Sequence, residues 1–317
     1  MLKYIVILLD DTSTSYCHYE ITFQKRHPIS LNHLRKGIRF AMMQGLNIQF
    51  VYPDYEISEE LQVEIGSVEH YDIKPSSLAD ESTDVIVVDG WDYERAIDLH
   101  KPTTIRLTKK SFLDNPLKML PLLNAVPNVN VVIKDIEKFN SEDYDNYKLA
   151  LGQLTEELKR MFVNGEKPQI SILTDRMVLP SMNNCNAGDT TIILAPDGYF
   201  YVCPAFYYES SKENCGNVGD GLNIKNQHLY KVDYAPICRH CDAYQCKRCV
   251  WLNKKMTHEV NTPSEEQCKT AHIERNASRS LLYAIREYGD FLPDKEITEI
   301  NYLDPFEKRE QWQQENL

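Results

Sequence analysis

Eight of the nine cysteines lie between Cys185 and Cys268, and at their centre stands the run Cys238-x2-Cys241-x4-Cys246-x2-Cys249. Thiolates two residues apart can bind one iron or zinc from a single tight turn, and a second such pair a few residues on completes four soft ligands. With Cys185, Cys203, Cys215 and Cys268 as outliers, the pattern predicts one or two metal centres.

A disulfide framework is the competing use of these thiols. It needs an oxidising compartment and usually a chain too small to build its own core. The N-terminus MLKYIVILLDD offers one lysine, about seven apolar residues and then two aspartates, too short and too acidic for a secretory signal. No apolar run approaches the roughly 18 residues that span a bilayer. The expectation is therefore a cytoplasmic protein with reduced thiols and no membrane partner. Lys and Arg total 35 against 47 Asp and Glu, a net charge of -12, which disfavours binding to a phosphate backbone and so excludes nucleic acid as an expected partner. Cations do gather among the thiols at Arg239, Lys247, Arg248, Lys254 and Lys255. There they either form a solvated basic face or offset thiolate charge and dock an acidic peptide.

The elements that must carry these residues alternate. Residues 2-9 are nearly continuous apolar and β-branched, the pattern of a strand covered on both faces. Ser30 then caps a helical stripe of Leu31, Leu34, Ile38, Ala41 and Met42, which Gly45 stops. Asn47 to Tyr52 reads as the next strand, closed by Pro53, so the opening is a βαβ unit. Further strands are predicted at 84-88, 103-107, 129-133 and 169-173, with helical patterns near 92-99 and 110-124. The longest helix is expected at 142-163, capped by Ser141 and stopped by Gly165. About six βα repeats can form an open sheet or a partial barrel. From Asn183 the texture changes to short strands, turns and cysteines, and Pro196-Asp197-Gly198 predicts a hairpin that brings Cys185 and Cys203 toward one end. The tail 291-317 reads as a surface wrap or partly disordered.

Cys185-x12-Gly198-x4-Cys203, the double C-x2-C run, Cys268, Gly216-Asn217-Val218 and Leu229-Tyr230 together resemble the SPASM domain appended to radical SAM enzymes that modify peptides and proteins. The family's usual run is C-x2-C-x5-C-x3-C, and this chain is one residue shorter in each of the last two spacers. The resemblance implies auxiliary [4Fe-4S] clusters: Cys238, Cys241, Cys246 and Cys268 would hold one, and Cys185, Cys203 and Cys249 would contribute to the other, with Cys215 as the spare thiol for its open fourth position. It also implies a preceding partial (β/α) barrel whose first strand ends in C-x3-C-x2-C. Here that loop reads Asp10-x3-Thr14-x2-Cys17, and Phe50 to Glu56 lacks the Gly-Gly-Glu that would receive S-adenosylmethionine. A [4Fe-4S] cluster at the first strand and bound S-adenosylmethionine are accordingly not expected. Leu8 to Ser13, Tyr16 to Tyr19, Gly37 to Ala41 and Asn47 to Pro53 further resemble the CXXX repeat peptide maturase family.

These expectations combine into an α/β chain. A degenerate radical SAM-type barrel over 1-180 is followed by a SPASM-like metal-binding domain with a β-hairpin over 181-280 and a C-terminal helix or tail over 281-317. The implied role is an accessory subunit that binds a cysteine-repeat precursor peptide, a radical SAM peptide maturase, or both, with no catalytic residue of its own. A zinc-stabilised structural or peptide-binding adaptor is the alternative, since four thiolates also suit tetrahedral zinc. Cys17 and His18 as a thiol and base form a weaker enzyme reading, because sequence neighbours rarely face one another usefully. Asp10, Asp11, His18 and Glu20 are expected to cap the strand and bond the loop. His240, His258 and His272 could each replace a cysteine on a metal, although a surface role is commoner.

Overall fold

A computed structural model of the chain describes residues 2-182 and 184-297. In chain order the first elements are β1 (Tyr4–Leu8), α1 (Leu31–Gln44), β2 (Asn47–Val51), α2 (Glu59–Ile65), β3 (His70–Pro75), β4 (Val85–Asp89), α3 (Glu94–Leu99) and β5 (Thr103–Leu107). There follow α4 (Lys109–Asp114), α5 (Leu120–Ala125), β6 (Val129–Ile133), α6 (Ser141–Val163) and α7 (Thr174–Val178). The chain continues through β7 (Thr191–Leu194), β8 (Phe200–Tyr201), α8 (Pro204–Glu209), β9 (Gly216–Asn217) and β10 (Gly221–Leu222), and then α9 (Val250–Thr257) and α10 (Glu265–Arg286). Among the described residues no helix is long and apolar enough to cross a membrane.

The boundary expected near residue 181 is one of sequence texture; compactness groups the chain differently. One unit joins Met1–Arg106 with Cys185–Tyr234, and the other joins Leu107–Asn184 with Ala235–Leu317. In the first unit the strands run in the order β5-β4-β3-β2-β1-β7-β8. All pairings are parallel except the β7-β8 hairpin. β1 is central, and Ile5, Ile7, Leu8 and Leu9 have no exposed surface, which is why its sequence carries no polar face. α1 follows the expected caps: Ser30 accepts from the His33 N–H, and Gly45 ends the helix at φ 64°. A Cβ on Gly37 would sit 2.2 Å from Leu194 Cδ2, so this glycine lets α1 approach β7. Gly198, at φ 81°, supplies the left-handed turn residue of the hairpin.

The second unit is mostly helical around β6. α6 and α10 are its main helix pair. They are joined by apolar faces that include Leu151, Leu154, Leu158, Leu281 and Leu282 and by the Tyr147 hydroxyl, which donates to Glu274 at 2.7 Å. Fully burying each such leucine stabilises by about 1.5–3 kcal/mol, enough to hold two long helices together without help from propensity.

Four elements differ from the sequence reading. Residues 169-173 make only a single bridge, Val129 to Ile170, and then turn: Leu173 and Thr174 N–H groups return to the Ile170 carbonyl and the Ile170 N–H donates to Thr174 Oγ1. The pattern at 110-124 splits into two helices because Pro116 and Pro121 interrupt it. Asn140 rather than Ser141 caps α6, in a reciprocal capping box with Asp143. β3 was hidden because buried Asp72 and Lys74 occupy the positions where alternation would put apolar residues. The tail segment 298-317 lies outside the described residues.

Candidate metal centre

In the second unit α10 is the scaffold of the thiol site. Cys268, His272 and Arg275 fall at i, i+4 and i+7 on one face of the helix, and all three are buried. The cysteine loop is pinned to this face at three points. Arg275 grips Asp242 bidentately, with Nε to Oδ1 at 2.5 Å and Nη2 to Oδ2 at 2.8 Å. Gln245 Nε2 donates to the Ala271 carbonyl, and the Cys249 N–H donates to Gln267 Oε1. Inside the loop the Cys241 N–H closes a turn on the Cys238 carbonyl, and Ala243 N–H points at Cys241 Sγ at 3.4 Å.

Cys238, Cys241 and Cys246 share one neighbourhood. Burial pushes the Cys238 thiol up to about 11, opposed by Arg248 and reinforced by Cys241. Burial pushes Cys246 higher still, and Cys238 and Cys241 add to it. Cys241 Sγ lies 3.5 Å from His272 Nε2. Of the three histidines named from sequence, His272 is therefore the one brought to a thiol of the run by a direct contact. Cys249 and Cys268 are buried in the same unit, while Cys185, Cys203 and Cys215 belong to the first.

The donor set fits a metal–thiolate centre by its chemistry and by its surroundings. Arg176, Arg248 and Arg275 are buried to within 2% of full enclosure, and all three lower the pKa of a thiol in the run. Asp242 is the carboxylate that pairs with Arg176 and Arg275, so cations outnumber anions at the loop. Arg176 Nε and Nη1 have no hydrogen-bond partner. Buried positive charge left over in this way calls for an anion, and thiolates on a metal supply one. Among the described residues no three His, Cys, Asp or Glu side chains already converge tightly enough to hold an ion, so binding would draw the loop thiols together.

The first unit holds a second thiol group. Cys203 follows β8, Cys17 lies in the loop after β1, and burial together with Cys185 and Cys17 pushes the Cys203 thiol well up. Tyr16 is raised by burial and by the same three thiols. Cys17 thus shares its surroundings with Cys185 and Cys203, a neighbourhood the sequence reading did not foresee. Cys215 is buried, which pushes it up to about 12.

The loop at the end of β1 is closed by its own hydrogen bonds. Asp10 Oδ1 accepts from the Thr12 N–H and hydroxyl, Asp10 N–H donates to Ser13 Oγ, and Ser13 Oγ donates to the Val51 carbonyl at 2.8 Å. Tyr55 donates to Asp10 Oδ2 and Tyr207 to Asp11. Buried Arg106 spans the rest: it donates to the carbonyls of Cys17 at 2.9 Å and Tyr19 at 2.8 Å and pairs with Glu20 and Asp89. The expected strand-capping and loop-bonding roles of Asp10, Asp11 and Glu20 are what these contacts describe. Beside β3 a polar cavity of about 440 Å³, lined by Tyr52, Tyr55, Asp72, Lys74 and Asp80, was not legible in the sequence. Its charges are paired internally, Lys74 with Asp72 and Asp80.

No protein-family model matches the chain, and no curated protein matches it in sequence. Solved structures do. The chain is similar to anSMEcpe with bound AdoMet, an anaerobic sulfatase maturase of the radical SAM/SPASM type, at TM-score 0.62 and 13% identity over 92% of this chain and 97% of that one. It is also similar to anSMEcpe with bound AdoMet and Cp18Cys peptide, at TM-score 0.59 and 14% identity over 89% of this chain and 99% of the other. At such identities the likeness is one of fold: this chain has the α/β partial-barrel architecture of radical SAM/SPASM proteins.

Proposed function

We propose that this chain is an accessory subunit in the maturation of a ribosomally made cysteine-repeat peptide. It carries metal on its cysteine-rich lobe and binds the precursor peptide, a radical SAM partner, or both, without radical SAM chemistry of its own. The observation that carries this reading is the contrast between two ends of one fold. Where the fold's catalytic cysteines would stand, Asp10 and Thr14 take two of three positions and Asp10 is spent on a hydrogen-bonded turn. The thiol-rich loop, in contrast, is fastened to α10 and faced by buried guanidinium groups.

On this reading the barrel serves as a binding surface. The structure of anSMEcpe with Cp18Cys peptide supports peptide binding by the architecture. The sequence resemblance to CXXX repeat peptide maturases supplies the substrate class. A bound cluster would supply an electrophilic iron for a substrate thiol; the chain's own part is to enclose it, neutralise it through Arg176, Arg248 and Arg275, and exclude water. Anaerobic reconstitution with iron and sulfide, followed by metal analysis and binding assays with a cysteine-repeat peptide, tests the proposal. Uptake of iron with peptide binding and no S-adenosylmethionine cleavage is expected. A protein that cleaves S-adenosylmethionine, or that binds neither metal nor peptide, overturns it.

Zinc is the second reading for the second unit. The Cys241–His272 contact favours it, because a mixed sulfur and nitrogen shell suits zinc and needs no redox role.

A further inference from the structure

In a cubane with four irons each iron takes one protein ligand, so two protein ligands stand far apart across the cluster. On a single tetrahedral ion they stand close. With a metal–sulfur distance of about 2.3 Å and a metal–nitrogen distance of about 2.0 Å, tetrahedral geometry puts the two donor atoms about 3.5 Å from each other. Cys241 Sγ and His272 Nε2 are 3.5 Å apart.

We infer that His272 is a metal ligand, sharing one tetrahedral ion of the zinc class with Cys241, and that Cys238 and Cys246 complete a three-cysteine, one-histidine site. The inference rests on the zinc reading of the second unit and replaces Cys268, the fourth ligand implied by sequence resemblance, with a residue one helical turn further along α10. Helical spacing puts both on the same face, so the exchange moves the fourth donor along the helix without turning it away from the loop. The clamp between Arg275 and Asp242 holds the loop one residue beyond Cys241 against the turn that follows His272. Ala243 N–H and His272 reach the same sulfur, so Cys241 is oriented before any ion arrives. Cys238 and Cys246 lie close enough to Cys241 for each ionised thiol to disfavour the next, and a divalent cation removes that penalty.

The test uses the full chain with Cys185→Ser and Cys203→Ser, which silence the first unit's paired thiols, stripped of metal and titrated anaerobically with Co²⁺. Thiolate-to-cobalt charge transfer and the d–d bands report how many sulfurs bind. A spectrum of three sulfurs and one nitrogen is expected. His272→Ala should weaken Co²⁺ by more than the roughly 10–100-fold that loss of an outer hydrogen bond to a ligand costs. His272→Cys should restore tight binding with stronger charge transfer and red-shifted bands, and Cys268→Ser should leave the spectrum unchanged. If Cys268→Ser abolishes the spectrum while His272→Ala preserves it, His272 only hydrogen-bonds the thiol and the inference fails, although the zinc reading stands. A chain that refuses Co²⁺ and Zn²⁺ yet takes up a [4Fe-4S] cluster in this unit defeats the zinc reading itself.

Discussion

Asp242 is the residue that holds the second unit's site closed. It is partly shielded and receives two guanidinium groups, Arg275 and Arg176, that are themselves almost wholly enclosed. An exposed ion pair contributes little, but removing one member of a buried one strands the other's charge. Asp242→Ala should therefore cost about 3–5 kcal/mol in urea unfolding of the metal-free chain. A loss below about 1 kcal/mol would place this pair with ordinary surface bridges. Asp80 supplies a contrasting case near the surface. Burial alone would raise its carboxyl, but hydrogen bonds from Ser82, Lys74 and Thr83 together with the Lys74 charge overrule it and hold it at about 2, below the ordinary 3.8. A depressed carboxyl contributes stability above its unfolded pKa and loses it as pH falls through the folded one. Asp80→Asn should abolish an acid-side slope between about pH 4 and pH 2, worth under roughly 1 kcal/mol because the side chain is half exposed. Equal slopes in the two proteins would remove Asp80 from the account.

Among the elements, α1 and α6 make opposite demands on single positions. α1 passes so close to β7 that only a hydrogen fits at residue 37. Gly37→Ala should destabilise by about 1–3 kcal/mol, toward the lower end because the atom in the way is the tip of a leucine that can rotate. Chemical denaturation measures it, and a stabilised variant would mean that helix propensity outweighs the clash. α6 depends on its N-terminus, where Asn140 and Asp143 satisfy each other's backbone N–H groups. Asn140→Ala should cost about 1 kcal/mol by the same assay, while Ser141→Ala should be near neutral. The reverse order would restore Ser141 as the cap.

For the molecule as a whole, the thiols fall into two compact units, Cys17, Cys185, Cys203 and Cys215 in one and Cys238, Cys241, Cys246, Cys249 and Cys268 in the other. Sites that do not share ligands should load independently. After anaerobic reconstitution, Cys238→Ser with Cys241→Ser should remove one metal component and leave any borne by the first unit, and Cys185→Ser with Cys203→Ser should do the converse. Loss of all metal from either double variant would mean that the thiols act as one set.

The sequence by itself determined most of the strands and helices and the chemistry of the donors. A continuous apolar run such as β1 can only be a covered strand, Asp197-Gly198 can turn where few other pairs can, and two closely spaced C-x2-C pairs have few uses other than metal. It failed where a polar residue is paid for by a distant partner. β3 was unreadable because Asp72 and Lys74 neutralise each other inside the fold, and the strand at 169-173 was overruled by Thr174 capping the turn. Tertiary structure alone decided which donors meet. Cys17 shares its surroundings with Cys185 and Cys203, at more than 160 residues' separation, and His272 is set apart from His240 and His258 by its contact with Cys241. Spacing along a chain fixes neighbours within a turn or a helix face, whereas pairing between a loop and a helix depends on contacts such as Arg275 with Asp242 that no local pattern records.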